Sequence, residues 1–267
     1  MTKGYGHLII GGGALDASRN KVFARFLKEA GGIASRIIVI AVSSSEPIES
    51  FAAVAKALTG LGLPKENLSF VPLTVVPELL SKGWTDKADE KLLPYFQEVS
   101  GVWFTGGDQL KTVKSLIMEN GEDSPVLSAV RTILADGGVI GGTSAGAAVM
   151  SSKMIARGSD EGVLNYPVCT EPDNYTEEFE EQERLLLMNG LGFFTEGIID
   201  QHFNKRPRLQ RLMCALRYLN ESVGYGISED TALCVSLQDQ KKEVIGSGYV
   251  MKVEYKDEGS FLTNLLS

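Results

Sequence analysis

The chain has 267 residues, 43% of them hydrophobic, and a formal net charge of −8. This balance suits a globular protein with a core of its own, excludes a nucleic-acid backbone as the expected partner, and fits cationic substrates or simple solubility. No apolar run approaches the roughly 20 residues that span a bilayer, and the three widely spaced cysteines, Cys169, Cys214 and Cys234, fit neither a disulfide framework nor a zinc site.

The residues from Met1 to His7 lack a signal-peptide pattern, because the first apolar run is very short. With the cysteine count this gives a cytoplasmic expectation. No Pro/Ser-rich linker or low-complexity tract divides the chain, so one domain over residues 1–267 is expected.

Apolar runs alternate with helical patterns. Leu8–Ile10 is strand-like and ends in Gly11-Gly12-Gly13; residues 18–30 show helical spacing, with Val22, Phe23, Phe26 and Leu27 on one side. The β-branched run 37–42 reads as a buried parallel strand. It leads through Ser43-Ser44-Ser45-Glu46-Pro47 into a helix over 51–61. Strands are expected at 69–73 and 102–104, helices near 108–118 and 125–135, and a strand at 138–141. After residue 222 the pattern changes to short strands at 225–227, 232–235 and 244–253. The sum is an α/β protein with a mostly parallel, doubly wound sheet and a more antiparallel C-terminal portion.

The strand at 138–141 runs into Gly142-Thr143-Ser144-Ala145-Gly146. This is the G-x-S-x-G pattern of a nucleophile elbow, in the strand–turn–helix setting it needs. A serine on so sharp a turn sits in a strained conformation, so its neighbours must be small. A helix that starts there presents free N–H groups where negative charge would develop on a substrate.

The chain has two histidines, His7 and His202. His7 reads as a strand-edge residue without chemistry. His202 follows Ile198-Ile199 and Asp200-Gln201, just past the end of a short strand, where sites gather in open α/β sheets. It is therefore the expected base for Ser144.

Three strand ends carry glycine-rich turns, at 11–16, 105–109 and 141–146, and parallel strands would bring all three to one sheet edge. The first could be a nucleotide-binding loop, but it lacks the third glycine of G-x-G-x-x-G and no P-loop lysine follows.

Gly106-Gly107-Asp108-Gln109, Gly142 to Ala147, and Asp200-Gln201-His202-Phe203 followed by Arg206, Arg208 and Arg211 together resemble peptidase family S51. The Ser43–Pro47 turn and Gly226 to Ala232 are similar to stretches of the same family. The resemblance covers nearly the whole chain and is greatest to the branch that degrades cyanophycin. It implies a serine exopeptidase on a flavodoxin-like sheet, akin to class I glutamine amidotransferases, that uses no metal or organic cofactor and forms a homodimer. The implied substrate is a poly-aspartate backbone with arginine in isopeptide linkage to each β-carboxyl, released as β-Asp-Arg dipeptides. Rival expectations are an α-aspartyl dipeptidase of the same family, a general esterase, and a non-catalytic binding protein that keeps the fold.

The resemblance assigns roles as follows. Ser144 attacks and His202 carries its proton. Backbone N–H groups of Ala145 and of Gly107 or Asp108 hold the oxyanion. Gln109 binds the substrate's carboxylate or backbone, or is only a polar residue at a helix start. By its place after the serine, Glu161 is the expected triad acid, with Asp160 as alternative and Asp200, Glu229 and Asp230 as further candidates.

Asp200, Gln201, Arg206, Arg208 and Arg211 form the expected substrate-binding group. The arginines would open a helix toward Asn220, either gripping carboxylates with paired hydrogen bonds or forming a solvated basic face. The acidic run 177–183 reads as a solvated helix face or as a lip that attracts arginine side chains.

Overall fold

The computed structural model describes residues 5–15, 21–257 and 259–267. The first half runs β1 (His7–Gly11), α1 (Lys21–Glu29), β2 (Ile37–Ile40), α2 (Pro47–Gly60), β3 (Leu68–Phe70), α3 (Pro77–Leu80), β4 (Gly101–Phe104), α4 (Gln109–Leu116), α5 (Pro125–Ala135) and β5 (Val139–Thr143). Then come α6 (Ala145–Ala148), β6 (Lys153–Arg157), α7 (Asp160–Asn165), α8 (Glu177–Glu181), β7 (Leu186–Asn189), β8 (Ile198–Asp200) and α9 (Leu209–Leu219). The chain closes with β9 (Val223–Ile227), β10 (Thr231–Ser236), β11 (Lys242–Gly246), β12 (Val250–Tyr255) and β13 (Phe261–Leu266). Two expectations, the helix start at Ser18 and the end of the first glycine turn at Asp16, lie outside the described residues.

The large sheet has the order β11-β10-β1-β5-β4-β2-β3. Strands β1 to β5 within it are parallel, and β10 and β11 add an antiparallel margin. This is the doubly wound arrangement that the alternating pattern predicts, and the flavodoxin-like sheet that the family resemblance implies. Residue alternation along each strand divides two cores. Ile9, Ile37, Val39 and Trp103 face α1 and α2, packing with Phe23, Phe26 and Leu58. Leu8, Ile10, Ile38, Ile40, Val102 and Phe104 face the other way, onto α4 and α5. Each such side chain contributes about 1.5–3 kcal/mol of burial. Helix α5 is also held at its start: Pro125 needs no donor there, and Ser124 Oγ accepts from Leu127 N at 3.1 Å.

A second sheet, β13-β12-β9-β8, carries the residues after the elbow, and β6 pairs with β7 as a separate antiparallel ribbon. The expected strand over 244–253 is two strands. The chain breaks at Gly246, whose φ of 126° no β-branched residue would adopt, so β11 stays on the large sheet while β12 joins β9. Strand β13 was not expected. Arg206 and Arg208 also precede the helix they were expected to open: α9 begins at Leu209, after Pro207. Among the described residues no helix is long and apolar enough to cross a membrane.

Candidate active site

Ser144 sits between β5 and α6 with φ 53° and ψ −116°, a strained conformation for a residue with a side chain. The glycines around it are sterically required. A Cβ at Gly142 would overlap the Gly146 carbonyl, and one at Gly146 would overlap the Phe104 carbonyl. The turn can therefore be sharp enough to lift Ser144 Oγ above the sheet edge.

Ser144 Oγ lies 2.9 Å from His202 Nε2, and His202 Nδ1 lies 2.6 Å from Glu229 Oε1. An ionised carboxylate can only accept, so the proton sits on Nδ1 and Nε2 is left to accept from the serine. Three chain segments meet here, and the Gly11-Gly12-Gly13 turn ties them together. Ser144 N donates to Gly11 O at 3.1 Å, His202 N to Gly12 O at 2.6 Å, and Asp230 N to Gly13 O at 2.9 Å. Gly13 adopts φ 105°, and any side chain there would overlap the His202 ring. The glycine turn is thus a bracket for the site.

Burial depresses the His202 pKa below its usual value; the Glu229 hydrogen bond opposes this, and the positive charges of Arg206 and Arg208 reinforce it. The lowered pKa favours the neutral imidazole, the form that could accept a proton from Ser144.

Glu229 was one of the lesser acid candidates, and Glu161, the expected one, does not contact His202. Glu161 is exposed on α7. Its alternative, Asp160, accepts from Arg211 N at 2.8 Å and so fastens α7 to the start of α9. The β8–β9 pairing explains the outcome. Its parallel register matches Asp200 to Gly226, so residues just past the two strands, His202 and Ser228-Glu229, emerge side by side.

Facing the serine is the turn after β4. Gly107 has φ 138°, and its Cα packs so close to the Ser43 carbonyl that a Cβ would overlap it. Ser43 Oγ bonds the carbonyls of Thr105 and Gly106 at 3.0 and 2.8 Å. Among the described residues the N–H groups of Gly107 and Ala145 have no hydrogen-bond partner, so both are available to an oxyanion. Asp108, the alternative donor, is not: its N–H donates to Ser43 O at 2.9 Å. Its carboxylate instead caps α4 at Leu110 N and takes two hydrogen bonds from Arg157.

A cavity of about 560 Å³ opens beside Ser144, lined by Gly107, Gln109, Arg157, Ser159, Glu183, Gln201, Arg206, Arg208 and Arg211 among others. Its charge is unevenly neutralised. Arg211 holds the fully buried Asp200 through Nε at 2.8 Å and Nη2 at 2.5 Å, and its Nη1 donates to Gly158 O. Among the described residues Arg208 uses only Nη1, on Gln201 O, Gln201 Oε1 and, at 3.3 Å, Asp200. Burial lowers its pKa to about 10, still well above neutrality. Arg206 is exposed at the cavity wall with no ion-pair partner among the described residues. The cavity therefore offers two cations, Arg206 and the free edge of Arg208, to an anionic group next to Ser144.

The model of peptidase family S51 matches residues 8–245. The chain belongs to peptidase family S51. Among S51 relatives, a protein named cyanophycinase from Geminocystis herdmanii is 32% identical over 248 residues, covering 92% of this chain and 79% of the relative. Proteins of the same name from Synechococcus elongatus and Thermosynechococcus vestitus are each 30% identical over 92% of this chain and 67% of theirs. Of solved structures, a peptidase from an acI-B1 Actinobacterium superposes with TM-score 0.62 at 19% identity, over 93% of this chain and 91% of that one. A putative peptidase E protein from Listeria monocytogenes superposes with TM-score 0.55 at 14% identity, over 91% and 99%. At these identities the two structures speak for the fold alone.

Within this S51 chain, then, His202 is hydrogen-bonded to Ser144 and Ala145 follows Ser144 in the chain, while Ser144, Gly107, Gln109, Gln201, Arg206, Arg208 and Arg211 line one cavity. Asp200 underlies its floor and is closed to a substrate, at 1% exposure, because its carboxylate is consumed by Arg208, Arg211 and Gln201 N. Gln109 differs from expectation in polarity. Its amide donates to the Ile155 and Ala156 carbonyls at 3.3 and 2.6 Å, so it offers an incoming group an acceptor and no donor toward a carboxylate. Arg157 and Glu183 line the cavity and were not singled out individually. A basic residue ending a strand and one acid within a long acidic run carry no local signature.

Proposed function

We propose that this S51 peptidase is a serine exopeptidase that hydrolyses cyanophycin to β-Asp-Arg dipeptides. The reading is carried by the Ser144–His202–Glu229 hydrogen-bond chain beside the Arg206 and Arg208 cations. The name shared by the curated relatives supports the substrate.

His202 Nε2 takes the Ser144 proton as Oγ attacks the carbonyl of the scissile bond. The resulting oxyanion is received by the N–H groups of Gly107 and Ala145. The imidazolium, held by ionised Glu229, returns the proton to the leaving amine, and water then hydrolyses the acyl-enzyme by the same route. The unit being released carries a free carboxylate on its arginine, and Arg206 with Arg208 would grip it. The buried Arg208 guanidinium would give this grip most of its strength, with the exposed Arg206 adding a screened charge.

The same two cations would accept the side chain of an α-aspartyl dipeptide, which makes an α-aspartyl dipeptidase the second reading. The test is incubation of wild type and Ser144→Ala with insoluble cyanophycin, with soluble dipeptide measured by mass spectrometry. Release of β-Asp-Arg by wild type alone is expected. Cleavage of α-aspartyl dipeptides without release from the polymer would favour the second reading.

A further inference from the structure

We infer that Arg157 is a positioning residue for the oxyanion turn: through Asp108 it holds the Gly107 N–H in place beside Ser144. The inference rests on the serine-peptidase reading above. Four observations carry it.

The turn needs an external hold. Gly106 abuts Ser144, its Cβ position lying 3.4 Å from Ser144 Cβ, and Gly107 sits at φ 138° with an N–H that has no partner among the described residues. A glycine in that conformation has many alternatives open to it. Only its neighbours can fix which way the N–H points.

Ser43 clamps the backbone of the turn, through Asp108 N–H and the Thr105 and Gly106 carbonyls, and Arg157 fixes the Asp108 carboxylate on the other side. Nη1 and Nη2 donate to Oδ1 and Oδ2 at 2.9 and 2.5 Å, a paired geometry that sets both distance and plane. Burial would raise the Asp108 pKa, but Arg157 wins and holds the carboxyl below its ordinary range, so the pair stays ionic.

The strand bearing Arg157 is bent to serve this contact. The β6–β7 register shifts between Ile155 and Arg157, leaving Ala156 as a bulge. Bulges re-aim side chains near sites. This one turns Arg157 onto Asp108 and presents the Ile155 and Ala156 carbonyls to Gln109. The end of β6 thus grips two consecutive residues, Asp108 and Gln109, directly after the turn.

Finally, Arg157 lines the cavity, yet its charge is already answered by Asp108, with Glu180 3.9 Å from its Nε. It is not the anion grip that Arg206 and Arg208 provide, so its loss should spare ground-state binding and weaken the transition state.

The experiment compares wild type with Arg157→Met and Arg157→Lys, measuring kcat and KM on cyanophycin. It also measures affinity for the product β-Asp-Arg and for an aspartyl peptide aldehyde, which adds Ser144 Oγ and develops an oxyanion. Removing an oxyanion donor outright costs about 100- to 1,000-fold in kcat, and displacing one should cost about 10- to 100-fold. The expected result is that loss in kcat, matched by the loss in aldehyde affinity, with KM and product affinity within about twofold. Lysine, a single point charge, should restore little of it.

A KM rise at unchanged kcat would assign Arg157 to substrate contact and overturn the inference. So would equal losses for aldehyde and product, or an unchanged kcat in a folded variant. If Arg157→Met does not fold, Arg157→Lys and Asp108→Asn, which keeps the residue's size, carry the same comparison. Wild type that neither turns over nor binds the aldehyde would overturn the serine-peptidase reading itself. Active wild type with unaltered variants would overturn this inference alone.

Discussion

His202 Nδ1 and Glu229 Oε1 are 2.6 Å apart, although 27 residues and a helix separate them in the chain. The contact is created by two parallel strands ending together, and Glu229 is held in turn by its own N–H donating to Asn204 Oδ1 at 2.8 Å. The imidazole thereby has one tautomer and one orientation. Glu229→Gln should leave the fold intact and lower kcat about 100- to 10,000-fold, as expected when a base loses the acid that fixes its tautomer. Glu161→Gln should retain full turnover. Steady-state kinetics with circular dichroism on both variants check this; a large loss in Glu161→Gln with little in Glu229→Gln would reverse the assignment.

The pH profile follows from the same site. Catalysis needs neutral His202, whose pKa lies below the ordinary 6.5, chiefly through burial. The acid limb of the rate should thus lie at lower pH than an ordinary imidazole would give, the rate being lost as pH falls through the depressed value. Arg206 is among the charges that push it down. Arg206→Ala removes that repulsion, so the acid limb of kcat/KM should move to higher pH. The shift should shrink at high salt, because Arg206 is exposed and its field is screened. An acid limb that moved to lower pH would contradict the electrostatics.

The strands, the elbow and the histidine were legible because each is local. The 139–143 run, the small residues around Ser144 and the place of His202 after a short strand can each be read from a few consecutive residues. The carboxylate that meets His202 was not legible from chain order. Searching between serine and histidine leads to Asp160 and Glu161, whereas register across β8 and β9, a pairing distant in sequence, brings Glu229 to the site. Asp200 misled for a related reason. Alternation along a strand would put residues 200 and 202 on one side, but His202 has left β8 with φ 52°, so the two side chains part and Asp200 meets Arg211, where it supports the floor. The glycine turn at 11–13 has the composition of a ligand loop, and its purpose is visible only once three partners are seen hanging from its carbonyls.

That bracket gives a further prediction. Gly13→Ala places a methyl into the His202 ring and an L-residue at φ 105°. The backbone strain alone should cost about 1–3 kcal/mol. Moving the ring by a fraction of an ångström breaks the 2.9 Å contact with Ser144 Oγ. Activity should therefore fall by more than the stability loss explains: kcat about 100-fold or more down at a temperature where the variant is still folded by circular dichroism. Retained kcat in a merely less stable protein would mean that the ring has room to yield.

The two innermost arginines should separate cleanly by experiment. Arg211 has Nε and both terminal nitrogens engaged, two of them on Asp200, which is 1% exposed. Arg211→Met would strand a buried carboxylate and should destabilise the fold by about 3–5 kcal/mol. Arg208, at the cavity wall, has no partner for Nε and Nη2 among the described residues, and its bond to Asp200 is the long one at 3.3 Å. Arg208→Met should therefore cost less stability and weaken substrate. A lost charge-assisted hydrogen bond of about 1.5–3 kcal/mol corresponds to a KM raised roughly 10- to 150-fold. Urea melts and Michaelis constants for both variants distinguish the roles. Equal loss of stability with no change in KM would make Arg208 part of the buried network and leave Arg206 as the sole anion grip.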